Sequence, residues 1–316
     1  MAGAELGLGL AAIGRPAYIN VGRDADLPAD RSPEVLRRRA HDLLDAAAGL
    51  GVNYVDAARS YGLAEEFLAS WLRGRTTPPP FVASKWGYRY TAGWRIDTPQ
   101  HEVKDHSAAM LAQQFRESHE LLGPWLRLYQ VHSLTLDSPL WGDPAVIREL
   151  AQIRASGVEV GLSTSGPEQA ATVRRALDVV VDGHRLFSSV QSTWNLYEPS
   201  VGPALADAHA AGLRVVIKEV LANGRLTDRG VDPSSRLTEA ARAHGVGVDV
   251  LALAAGLARP WCDVVLSGAV SVEQLAANMR ALELAGDPDT QGLLSSLLEP
   301  QDPGEYWGNR SRLPWR

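Results

Sequence analysis

Four ionisable side chains in the first half of the chain stand where apolar strands give way to loops. They are Asp56 and Tyr61 in VNYVDAARSY, Lys85 in FVASKWGY and His132 in LYQVHS. A strand-end Asp also caps turns and a loop Tyr also packs, so the first pair alone decides little. Four such groups at the ends of three strands suggest a site. A free phenol titrates near about pH 10, so as a proton donor at neutral pH it needs its anion stabilised. A neighbouring ammonium, Lys85, would do that by attraction, and Asp56 would hold the ammonium charged and in place. His132 would then donate a hydrogen bond to an oxygen on which negative charge develops. The set amounts to a proton donor beside an oxyanion site. Nothing in it supplies two electrons, so a reduction would need a hydride from a bound cofactor.

With DAARSYG, SKWGY and LYQVHS in this order, the sequence resembles the aldo-keto reductases from about residue 6 to about residue 284. The resemblance puts the catalytic Asp, Tyr, Lys and His of that family on Asp56, Tyr61, Lys85 and His132. It implies a nicotinamide cofactor and a (β/α)8 TIM barrel. It also places Gly9 near the nicotinamide, Gln191 on the carboxamide, and Leu221, Asn223 and Arg225 of ANGRL over the pyrophosphate. Where members of the family commonly carry Ser-Asn at the end of the fifth strand, this chain has Ser163 and Thr164. Where many stack a Tyr on the ring, it has Lys218, followed by Glu219. The stretch LSGAVSVEQLAANM matches the phosphate-binding segment through Ser267, Gly268, Gln274 and Asn278. Basic residues often clasp the 2′-phosphate there, and here the corresponding positions are Gly268, Ala269 and Gln274. NADP(H) over NAD(H) is the expectation, as the family default. The implied reaction is reduction of an aldehyde, ketone or sugar-like carbonyl, or its reverse, with Tyr61 as general acid. The alternative is a nicotinamide-binding regulatory or partner subunit with little turnover.

The elements that must position these groups follow in order. ELGLGLAA, residues 5–12, reads as a short strand in which Gly7 and Gly9 permit close approach of a backbone or a ligand. Ser32 and Pro33 then open a helix with Leu36, Ala40, Leu43, Leu44 and Ala47 on one face, feeding the Asp56 strand. Helices are expected near residues 63–73, 106–122, 143–156, 166–178, 200–211 and 235–257, the fourth opened by a capping box from Ser165 to Glu168. A second capping box, Ser271 to Gln274, starts the last barrel helix. Strands ending in VEVGLSTS, FSSVQSTWN, LRVVIKEV and CDVVLSGAV complete a count of eight strands alternating with eight helical patterns. That count argues for parallel pairing with right-handed crossovers, and a site fed by many strand ends favours a closed barrel over an open sheet.

The insertion after Lys85, residues 86–106, leaves a strand's C-terminal end, so Trp86, Tyr88, Tyr90, Trp94 and His106 are candidates to shape a substrate pocket. A self-packed surface loop is the alternative. Of these, Trp86 and Tyr88, with Trp194 after the sixth strand, are the named substrate-binding candidates. His101, Glu102 and His106 lack metal-ligand spacing, and no metal is expected. The tail, residues 285–316, carries Trp307 and Trp315, which suggest that it docks on the barrel.

Composition narrows the partners. The 316 residues are 45% hydrophobic, enough for a barrel in one domain, and 31 basic against 37 acidic residues give a net charge of −6. No basic block tracks a phosphate backbone, so nucleic acid is not an expected partner; the small-molecule carbonyl expected as partner is what the resemblance implies. The single cysteine, Cys262, fits a reducing compartment. The apolar opening lacks a basic leading region, and no run approaches the roughly 20 apolar residues of a membrane span. The chain therefore reads as a soluble cytoplasmic protein with no membrane partner, a monomer being compatible with everything seen.

Overall fold

Eight parallel strands close into a barrel in this computed structural model, which describes residues 3–22 and 25–316. The barrel strands are β1 Glu5–Gly9, β2 Tyr54–Asp56, β3 Phe81–Trp86, β4 Leu126–Leu134, β5 Glu159–Thr164, β6 Ser189–Thr193, β7 Arg214–Lys218 and β8 Val264–Ser267. Each pairs with its neighbours in sequence, and β1 pairs with β8 to close the ring. Helices α1 Pro33–Gly49, α2 Ala64–Arg73, α3 Ala108–Leu122, α4 Pro144–Ala155, α5 Gln169–Leu177 and α6 Gly202–Ala210 make the first six crossovers. Helices α7 Arg236–Ala243 and α8 Val248–Leu257 share the seventh, and α9 Val272–Gly286 follows β8. The expected (β/α)8 TIM barrel is what the chain forms.

The barrel interior has two layers, and strand alternation explains both. Low in the barrel Tyr54, Ala83, Leu128, Val216, Val264 and Leu266 form an apolar plug, with Tyr54 stacked on Phe81. Gly7 belongs to this layer, because a Cβ there would lie 2.9 Å from Val264 and 3.1 Å from Tyr54. Two residues further along the same strands the inward positions turn polar, at Asp56, Lys85, Gln130 and Lys218. The plug thus sets a dry floor beneath a polar ring at the C-terminal end of the strands.

Local chemistry corrects two helix expectations. The segment expected as one helix over 235–257 breaks by 90° between α7 and α8. Gly245, at φ +61°, ends the first part and Gly247 caps the second. The expected capping box at Ser165 does not form. Gly166 adopts φ +88°, and α5 begins at Gln169 behind Glu168, which makes no side-chain cap bond. The other capping box is formed in part: Ser271 at the N-cap accepts the Gln274 N–H, and the Gln274 side chain reaches back one residue beyond the cap, to the Val270 N–H at 2.9 Å.

The insertion after β3 is a hairpin, Tyr88–Tyr90 against Glu102–Lys104. The tail contains α10 Gln291–Ser296 and α11 Pro303–Ser311 and returns to the barrel mouth, where Trp315 bridges to Ile19 and Tyr18 pairs with Arg316 through backbone bonds. Among the described residues no single helix is long and apolar enough to cross a membrane.

Candidate active site

The barrel geometry brings the four ionisable groups together. Lys85 is fully buried; its Nζ donates to Asp56 and, at 3.1 Å, to the Ala57 carbonyl, and lies 3.3 Å from the Tyr61 hydroxyl. The Tyr61 hydroxyl stands 3.4 Å from His132 Nε2, and Ser60 Oγ stands 3.4 Å from His132 Nδ1. Asp56 also accepts from Gln191 at 2.9 Å and Gln130 at 3.3 Å. Every oxygen of the carboxylate is therefore used inside the protein.

Burial sets the electrostatics. It lifts the Tyr61 phenol well above its ordinary range; Asp56 adds to this, and Arg15 opposes it. Burial lowers the Lys85 ammonium against the pull of Asp56. Burial, then Lys85 and Lys218, holds His132 well below its usual range, so the imidazole is neutral at pH 7. The site thus presents a protonated phenol, a paired cation and a neutral ring.

These groups open on a cavity of about 300 Å³. Of the sequence candidates, Gly9, Asp56, Tyr61, Tyr88, His132, Gln191, Lys218, Glu219, Leu221, Asn223, Ser267 and Gly268 line it. A Cβ at Gly9 would meet the Ser267 carbonyl at 3.6 Å and Leu266 at 3.9 Å, ordinary contacts, so this position has room that Gly7 lacks. Lys218 donates to Thr193 Oγ1 at 2.8 Å and lies 3.8 Å from Glu219. Burial brings its ammonium down to about 8, with Glu219 opposing. Burial alone would raise the Glu219 carboxyl, but Arg310 and Lys218 hold it at about 2. Gln274 and Asn278 line a second cavity of about 250 Å³ beside the first.

Six named site candidates lie outside the cavity lining, the first being Lys85, which is buried behind Asp56 and Tyr61. Trp86 is fully buried and packs on His106, because the alternation that turns Lys85 inward turns Trp86 outward. Trp194 packs on Trp261 with Arg259 over its face. The Ser163 hydroxyl is taken by the Ser133 N–H at 2.8 Å, and Thr164 bonds the Ser192 hydroxyl at 2.7 Å. Arg225 bonds Gln301 at 3.0 Å with its guanidinium over the Tyr197 and Tyr306 rings, so it braces the tail.

Sequence reasoning missed several lining residues. Arg15, from the irregular segment after β1, is 2% exposed, donates to Glu102 at 2.8 Å, and sits 5.1 Å from the Tyr61 ring centroid and 4.8 Å from that of Trp315. Ser133 and Ser165 line the cavity where Ser163 and Thr164 were expected. Arg310 of α11 reaches in from the tail and clamps Glu219, donating through Nε at 2.7 Å. Trp315 closes the rim, stacked on His101 at 4.3 Å. Only the aromatic content of the tail signalled any of this. Among the described residues no cluster of His, Cys, Asp and Glu is arranged for a metal.

The residues present fit a polar ligand larger than a simple carbonyl. Asn223 Oδ1 and Asn278 Oδ1 are buried with no protein partner, one in each adjoining cavity, and nothing within 4 Å would meet a Cβ at Gly268. Comparison with known proteins agrees. The sequence profile of the Aldo/keto reductase family matches residues 6–299. An uncharacterised oxidoreductase of Bacillus subtilis, YqkF, is 25% identical over 273 residues, covering 78% of this chain and 82% of that protein. The holo form of the aldo-keto reductase AKR11C1 from Bacillus halodurans superposes with a TM-score of 0.70 at 22% identity, over 97% of this chain and 96% of that one, and so shares the fold. The chain belongs to the aldo/keto reductase family, oxidoreductases of carbonyl compounds that work with nicotinamide cofactors.

Proposed function

We propose that this protein reduces an aldehyde, ketone or sugar-like carbonyl to the alcohol, or runs the reverse, with Tyr61 as the general acid. The observation that carries this reading is the contact of one phenol with both Lys85 and His132 at the floor of a cavity. A nicotinamide cofactor bound in the adjoining cavities supplies the hydride. Asn223, Ser267, Gly268 and Asn278 are the residues to hold it, with Gln191 oriented by its bond to Asp56.

The carbonyl oxygen sits against the Tyr61 hydroxyl and His132 Nε2. The Ser60 hydroxyl, 3.4 Å from Nδ1, can donate to it, which leaves the ring proton on Nε2 to donate to that oxygen as charge grows on it. Tyr61 delivers its proton to the same oxygen, and Lys85 stabilises the phenolate left behind. Asp56 keeps Lys85 charged against its burial. Arg15, Tyr88 and Trp315 form the rim over the carbonyl, and the plug below the polar ring excludes water from beneath.

The test is consumption of NADH or NADPH by the purified protein with a panel of aldehydes, ketones and aldoses. Turnover that collapses in Tyr61→Phe supports the reading. Cofactor binding without turnover on any carbonyl would replace it with a regulatory subunit.

A further inference from the structure

The cavity beside Tyr61 runs on into the second one, the two sharing Ala12, Asn20, Leu221, Gly224 and Gly268. A dinucleotide whose reacting end lies at Tyr61 extends its other end into that second space. There Asn278 is 3% exposed; its Nδ2 donates to Ser267 at 2.9 Å, and its Oδ1 has no protein partner. A buried acceptor left open in this way suits a ligand hydroxyl or amino group.

The charges in the same space oppose a phosphate. Its charged lining among the described residues is Asp26, Asp228, Asp249 and Arg229. Arg229 is spent on Asp26, with contacts of 2.7 and 3.1 Å. Asp228 accepts the Val248 N–H at 3.1 Å and Asp249 the Val250 N–H at 3.0 Å, both in the first turn of α8, and among the described lining residues neither carboxylate is paired with a cation. The start of α9 would otherwise attract an anion, but three N–H groups there and just before it are turned to side chains. Ser267 accepts the Ala269 N–H, Gln274 the Val270 N–H, and Ser271 the Gln274 N–H. Burial raises the pKa of the Asp249 carboxyl, the Val250 N–H opposing and the charge of Asp228 adding to it.

We propose that this protein selects NAD(H) against NADP(H): Asp228 and Asp249 repel the 2′-phosphate, and Asn278 accepts from the unphosphorylated adenosine end. This rests on the nicotinamide reading above and reverses the NADP(H) expectation drawn from the resemblance. Two carboxylates facing a phosphate at an effective dielectric near 20 weaken binding by about tenfold or more.

The test is equilibrium binding to the full chain by calorimetry, with NADH, NADPH, 5′-AMP and 2′,5′-ADP as titrants. NADH should bind at least about tenfold tighter than NADPH, and 5′-AMP tighter than 2′,5′-ADP, with the gap narrowing as salt rises. The double variant Asp228→Asn, Asp249→Asn keeps an acceptor oxygen on each side chain for the α8 amides. It should shrink the NADH preference by about tenfold. Equal or tighter NADPH binding in the wild type overturns the proposal while leaving the nicotinamide reading intact. A preference that ignores both salt and the double substitution also overturns it, and the salt series decides alone if the double variant does not fold. Failure of every titrant to bind overturns both.

Discussion

The two sides of the barrel mouth are finished to different degrees. On the side of β2, β3 and β4 the functional groups already serve one another: Lys85 holds Asp56, Tyr61 touches Lys85 and His132, and Gln130 and Gln191 complete the Asp56 carboxylate. On the side of β7 and β8, Asn223 and Asn278 keep buried oxygens without partners. The loop after β7 also holds Glu219, Ala222 and Asn223 at φ +54°, +46° and +56°, a conformation costly for residues other than glycine. An unmade buried hydrogen bond costs about 1–3 kcal/mol. In the function proposed above, the first side is a preformed proton-transfer device and the second a cradle that the cofactor completes. Substitutions on the first side should therefore strike turnover and stability, and those on the second should strike binding.

Tyr61→Phe should give the largest effect. It removes the donated proton and little contact area, so carbonyl reduction should fall by about 10²–10⁴-fold while the cofactor dissociation constant stays near wild type. Turnover within a few-fold of wild type would take the acid role away from Tyr61. Lys85→Met comes next, because it also leaves the Asp56 carboxylate buried beside two amides and no cation. Loss of one partner of a buried pair costs about 3–5 kcal/mol, readable as a lower denaturant midpoint with unchanged slope. Any residual activity should show its alkaline inflection displaced to higher pH, since the phenolate loses its nearest positive charge. An active variant with an unmoved profile would break the Lys85–Tyr61 coupling.

Arg310→Met probes the border between the two sides, where the tail reaches the cradle. The Glu219 carboxyl, held at about 2 with Arg310 beside it, gives stability that is present above its ordinary pKa of 4.5 and is lost as pH falls toward 2. Without Arg310 that acid-side dependence should flatten, residues 299–316 should become sensitive to proteases, and stability should fall by about 1–3 kcal/mol. Proteolysis identical to wild type would mean that the backbone pairing of Tyr18 with Arg316 and the packing of Trp307 suffice to hold the tail.

The proton-transfer side was legible in the sequence because each of its groups lies within a short segment that folds as one strand end. Asp56 and Tyr61 are five residues apart, and Lys85 and His132 each close an apolar run. The cradle was read less well. Trp86 and Trp194 were placed in the pocket by their nearness to the right strands, yet alternation beyond Lys85 turns Trp86 outward, a rule the sequence itself contains. Ser165 was read as a helix cap, but the left-handed Gly166 keeps it out of the helix and it lines the cavity instead. Arg15 and Arg310 come from irregular or terminal segments whose position depends on the completed barrel, so no spacing marks them. Gly268 and Gln274 showed that the usual cation was missing, whereas Asp228 and Asp249 become its replacements only once α7 and α8 break and bring them to the same cavity.

The smallest expected effect belongs to Lys218, which lies in the cradle yet faces both sides. Thr193, Glu219, Arg310 and the Trp307 ring surround its ammonium, and it feels Lys85 and Asp56 across the cavity. Its folded pKa of about 8 lies below the ordinary 10.5, so the native state releases this proton before the unfolded chain does. Stability should accordingly rise with pH between those values, and Lys218→Met should remove that slope. Below about pH 8 the charge attracts a pyrophosphate or an anionic substrate, so binding should weaken as pH rises through that point. Lys218→Met should flatten the binding profile and weaken affinity at pH 7 by less than about tenfold, the reach of one partly screened charge. Lys218→Tyr should instead tighten the cofactor if an aromatic face there can stack on the ring. Identical dissociation constants at pH 7 and 9 in the wild type and both variants would show that Lys218 serves Thr193 and Glu219 alone, and the line between the two sides of the barrel mouth would then run on the far side of β7.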